Sequence, residues 1–176
     1  MRTFFLSLIL LLVCSIGGLA QTNPKVTQAL SEFDARVETE GSADSHLVRG
    51  MALYRLGQLD AAQKDFEAAR TLEPLNDIAW YWSGCSHFAS NRFSEAAECF
   101  SHSISLDSDA PWFYHQALGD SLYHLGRVEE VVLCFERAVH SAHSHKLKRR
   151  VDRLKEALRL VRLGIYETEL PEPIGD

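Results

Sequence analysis

Three glycines, Gly50, Gly84 and Gly119, stand 34 and 35 residues apart, and four phenylalanines, Phe33, Phe66, Phe100 and Phe135, follow one another at intervals of 33, 34 and 35. A period of that length is one supersecondary unit copied along the chain. A pair of helices cannot bury its apolar face alone, so the copies must stack. Residues 80–106 show the unit most fully: two apolar-periodic runs of about one helix each, broken at Asn91, with Gly84 in the first and Ala96 and Phe100 in the second. No stretch reads as a strand, and the chain is predicted to be all-α.

The pattern divides the chain. Residues 21–42 hold one N-terminal helix and a linker. Its stripe is Val26, Leu30, Phe33 and Val37, and its Ala29-x3-Phe33 pair matches Ala62-x3-Phe66 and Ala96-x3-Phe100, which makes it the second helix of a degraded half repeat. Three full copies follow over 43–76, 77–110 and 111–145, with Gly57, Asn91 and Gly126 in the turn between their helices. Pro74 ends the first copy, because proline disfavours helix in the residue before it and has no N–H to donate. Residues 146–163 read as a further helix with an apolar stripe at Leu147, Val151, Leu154, Leu158 and Val161. Residues 164–176, with two prolines and four acidic side chains, read as an extended or disordered acidic tail.

These landmarks resemble the tetratricopeptide repeat, a 34-residue helix-turn-helix with W-x2-L-G-x2-Y in its first helix and A-x3-F, then P, in its second. The middle copy has Trp80, Ser83, Gly84 and His87, then Ala96, Phe100 and Ser103. The first has His46, Arg49, Gly50 and Leu53, then Ala62, Phe66 and Ala69. The third has His115, Leu118, Gly119 and Leu122, then Val131, Phe135 and Ala138. The resemblance implies a right-handed helical-hairpin solenoid of three repeats, with an extra N-terminal helix and a C-terminal capping helix.

It also implies a concave groove, lined by the first helices, that binds a protein or peptide partner. Carried over by register, the groove residues are Leu47, Met51, Tyr54 and Arg55, then Tyr81, Cys85 and Phe88, then Gln116, Asp120, Tyr123 and His124. The lining is mostly aromatic and apolar, without the Asn and Lys pattern that clamps a peptide's terminal carboxylate. The same rings are equally readable as packing against one another. The expected function is a non-catalytic adaptor or assembly factor.

Charge narrows the partner. The formal net charge of −6 excludes wholesale nucleic-acid binding, yet residues 146–163 carry eight basic and two acidic side chains, against nine and eighteen over 21–145. This basic helix is expected to cap the stack with a polar outer face. The alternative is a membrane-surface or polyanion-associated module acting through it.

At the other end Arg2 precedes an apolar run, and Gly18-Leu19-Ala20 offers the small residues a signal peptidase reads. Residues 1–20 are thus expected to be a cleaved signal for export to the periplasm or the exterior. The alternative is an uncleaved N-terminal membrane anchor. Lipidation at Cys14 is disfavoured by Val13.

Cys85, Cys99 and Cys134 lack metal or redox spacing and read as small apolar residues, with a Cys85–Cys99 bridge open in an oxidising compartment. His140, His143 and His145 have no adjoining cysteine or carboxylate to complete a metal site. No catalytic motif is present, and neither cofactor nor metal is expected.

Overall fold

The computed structural model describes residues 24–144, 148–164 and 166. The leader read over 1–20, His145 and the tail beyond Tyr166 lie outside the described residues.

Three sharp turns set the hairpins. Gly57, Asn91 and Gly126 sit in the left-handed region at φ 73°, 58° and 72°. In each case the next N–H reaches back to the preceding helix: Gln58 to the Leu53 carbonyl at 2.9 Å, Arg92 to His87 at 2.9 Å, and Arg127 to Leu122 at 3.0 Å. This is the Schellman closure, which satisfies carbonyls at a helix end and turns the chain. Glycine takes the conformation without cost, and asparagine tolerates it better than other side chains do.

Eight helices result among the described residues: α1 (Pro24–Glu40), α2 (Ala43–Arg55), α3 (Leu59–Leu72), α4 (Asp77–Ala89), α5 (Phe93–Leu106), α6 (Trp112–His124), α7 (Val128–Ser144) and α8 (Lys148–Leu163). Ser42 Oγ accepts from the Ser45 N–H at 3.2 Å to start α2, and Asn76 Oδ1 accepts from the Ala79 N–H at 3.1 Å to start α4. The last helix of the third hairpin runs on to Ser144, beyond the end near Ser141 that the apolar pattern suggests.

Successive helices pack on one another along the whole chain. The first helices α2, α4 and α6 also approach each other in order, more closely than α3, α5 and α7 do. The stack is therefore curved, with α2, α4 and α6 on its inner side. One buried cluster is built on Phe66, Tyr81, Trp82, Phe100 and Tyr114, and a second on Val131, Phe135, Val151, Leu154 and Val161. Phe113 and Leu118 pack against both.

At the N-terminal end Asp65, 3% exposed, ties α1 to α3 through α2. It accepts from Arg49 Nε at 2.7 Å and Nη2 at 2.6 Å and lies 3.0 Å from His46 Nδ1, while Arg49 Nη1 donates to Asp34 at 3.0 Å. The Asp65 bond holds the Arg49 guanidinium well above its ordinary pKa. At the other end α8 lays Val151, Leu154 and Val161 onto α7, and Arg162 Nη2 donates to Glu136 at 2.9 Å. These three residues of its apolar stripe are thus used in the stack. No helix among the described residues is long and apolar enough to cross a membrane.

Candidate functional site

The inner face is held in place by the contact that the repeated glycine and phenylalanine make. The Phe100 ring lies where a Cβ on Gly84 would fall, 2.6 Å away; Phe66 does the same at Gly50, and Phe135 is 3.2 Å from the equivalent point on Gly119. Each second helix thereby fixes the distance and rotation of its first helix, and so what that helix shows to the inside.

Along that face exposure is uneven. In the first hairpin Leu47 is buried, Met51 and Tyr54 are half-buried and Arg55 is exposed. In the middle hairpin Tyr81 and Cys85 have no exposed surface and Phe88 only 5%. The expectation that these three present themselves to a groove is corrected here: all three are buried, and rings from the next hairpin, with Phe93 of their own, lie against Tyr81 and Phe88. Tyr81 stacks on Tyr114 at 4.6 Å and 16° and meets Phe113 edge-on at 5.4 Å. Phe88 lies against Phe93 at 5.3 Å and His124 at 5.5 Å, with Phe93 and His124 stacked at 4.0 Å. In the third hairpin Gln116 and Tyr123 are half-buried, His124 is exposed, and Asp120 is 1% exposed.

Asp120 is covered by a residue that the sequence pattern assigns to an extended tail. Tyr166 turns back onto the inner side, donates its hydroxyl to Asp120 Oδ1 at 2.6 Å, and sets its ring edge-on to Tyr123 at 5.4 Å and Phe135 at 5.2 Å. Its only signal in the sequence is a single ring after Gly164 in an otherwise polar and aliphatic tail. Phe113 and Phe93 were missed too, because each sits at a helix start, outside the apolar stripe.

The chemistry of the face is that of contact rather than reaction. Burial raises the Tyr54 and Tyr81 hydroxyls and the Cys85 thiol far above their ordinary range, and pushes Cys134 up to about 11. All three described thiols are free and buried, so the Cys85–Cys99 bridge is absent; Cys99 Sγ instead lies 3.9 Å from Ser83 Oγ. Among the described residues no group of three or more His, Cys, Asp or Glu side chains is arranged to hold a metal ion.

On the side away from the inner face, a cleft of about 840 Å³ runs between α5 and α7. Its walls mix Asp107, Asp109, Glu136, Arg137 and His140, with Leu133 at the rim. It offers no aromatic anchor.

Residues 47–111 match the tetratricopeptide repeat family. Subunit 7 of the anaphase-promoting complex of Mus musculus is 31% identical over 107 residues, a match covering 56% of this chain and 18% of that protein, so the chain spans less than a fifth of that relative's length. Among solved structures, PcrH in complex with the chaperone-binding region of PopD superposes with a TM-score of 0.65 at 18% identity, over 69% of this chain and 91% of that one. The first repeat domain of Spaghetti (RPAP3) bound to an HSP90 peptide gives 0.58 at 16%, over 68% and 94%. Both are similar in fold.

Proposed function

Since this chain belongs to the tetratricopeptide repeat family through residues 47–111, we propose that it is a non-catalytic adaptor or assembly factor whose inner face holds a segment of a protein partner. The observation that supports this reading is the graded exposure of α2, α4 and α6. A bed of fully buried rings in the middle hairpin carries a row of half-exposed side chains, Met51, Tyr54, Gln116 and Tyr123, with Arg55 and His124 open to solvent. Such a surface gives rigid apolar contact at small entropic cost, with charge at its margin.

Two proteins of similar fold hold polypeptide segments, PcrH that of PopD and Spaghetti that of HSP90. On the leader reading of residues 1–20, the partner is met outside the cytoplasm.

The test uses accessible positions, because changing Tyr81 or Phe88 would disrupt packing. A double variant, Arg55→Glu with Gln116→Arg, is expected to melt like the wild type and to lose the proteins that copurify with the wild-type chain from its native envelope. Retention of every one of them by the folded variant overturns the inner face as the binding surface.

A further inference from the structure

The place that Tyr166 fills is a built socket. The ring, 8% exposed, meets Tyr123 and Phe135 edge-on, and the hydroxyl ends 2.6 Å from a carboxyl oxygen of Asp120. Asp120 and Tyr123 belong to the inner face of α6, so Tyr166 of the chain itself stands where the proposed function puts a partner. We propose that this socket recognises a tyrosine side chain of the partner segment, and that Tyr166 is a built-in stand-in which the partner displaces. The inference rests on the inner-face reading above.

The chemistry selects the side chain. Two rings placed for T-shaped contact ask for an aromatic ring between them. Asp120 Oδ1 accepts the Tyr166 hydroxyl, so an occupant that brings an O–H or N–H to the same point restores that bond. Phenylalanine fills the ring space without making that hydrogen bond, whereas serine does the reverse. Tyrosine places its donor at the far end of a ring and meets both demands.

The attachment of Tyr166 makes it displaceable. The other rings of the socket are carried on helices. Tyr166 instead follows Gly164, whose φ of 70° ends α8 and whose N–H closes the last turn on the Val161 carbonyl at 3.0 Å. Tyr166 therefore lies outside the helical hydrogen-bond ladder that carries the other rings, where local opening needs little disruption. A tethered occupant also sets a threshold: a lone tyrosine competes poorly against it, so a partner must add contacts further along, at Gln116 and Tyr54.

The experiment selects random peptides displayed on phage against three full-length proteins: wild type, Tyr166→Ala, and Tyr166→Ala with Asp120→Asn. The Tyr166→Ala protein is expected to enrich tyrosine-containing peptides that bind it about tenfold or more tightly than they bind wild type, the gain from making the competent state the main one. Asp120→Asn is expected to remove part of that gain, because an amide oxygen accepts the hydroxyl more weakly than a carboxylate does. Tyr166→Phe keeps the ring and loses the hydroxyl bond, so it serves if the alanine variant folds poorly, and it is expected to bind the same peptides several-fold better than wild type. Peptides that bind wild type and variants equally, or that show no enrichment in tyrosine, overturn the socket while leaving the inner-face reading standing. Absence of peptide binding to every protein overturns both.

Discussion

At the scale of single residues, the glycine of each first helix is a packing choice. A methyl group at Gly84 would fall 2.6 Å from the Phe100 ring, against 3.2 Å for Phe135 at Gly119. Alanine gains about 1 kcal/mol of helix propensity at either site. Overpacking costs about 1 to 3 kcal/mol where the neighbour cannot move. Gly84→Ala is therefore expected to lower the denaturant midpoint and Gly119→Ala to leave it nearly unchanged, with Phe100→Leu relieving part of the Gly84→Ala loss in the double mutant. Equal midpoints for the two alanine variants would show that the ring yields.

A second residue-scale prediction concerns pH. Burial first, then Arg92, lowers the His87 pKa below its ordinary 6.5. Arg70 also opposes the charged ring, while Glu95 and Glu67 favour it. Arg92 Nε donates to His87 Nδ1 at 3.0 Å, so the neutral ring is the one the hairpin accommodates. His115 is lowered by burial and by Arg137. Both groups bind protons more readily when unfolded, so their contribution is complete above about pH 6.5 and is lost as pH falls below it toward the folded values. The thermal midpoint should drop between about pH 7.5 and about pH 5, and less so in His87→Gln with His115→Gln. An identical drop in both proteins would assign it to other groups.

At the scale of helices, position in the stack decides what the same residue type contributes. Phe66, Phe100 and Phe135 have no exposed surface, whereas Phe33 on α1 is only half-buried, since no first helix precedes it among the described residues. Truncating Phe100 to alanine is expected to cost about 3 to 5 kcal/mol, while Phe33→Ala loses part of a smaller burial term, about 1 kcal/mol. Urea titration of the two variants checks this, and equal losses would contradict the stacking order. The helix spans themselves were readable because turn and stripe are local: Asn91 substitutes for glycine in a turn whose flanking hydrogen bonds match its neighbours'. The fate of the last helix was legible for the same reason, since its apolar stripe had to find a partner and α7 was the one left open.

At the scale of the whole molecule, the candidate site was legible only in outline. Register assigned eleven side chains to the inner side without saying which remain accessible. Tyr81 and Phe88 are hidden by Phe113, Tyr114 and His124, residues of the following hairpin, and Asp120 is hidden by Tyr166 from beyond the last helix. By itself the sequence determined the hairpins, their number and their order, because a left-handed turn, a helical stripe and a glycine facing a phenylalanine are set by spacings within one repeat. Only the tertiary structure decided which inner side chains are covered and where Tyr166 goes. Both outcomes depend on rings brought together from separate hairpins and on a single aromatic residue in the tail, which carries no periodic signal.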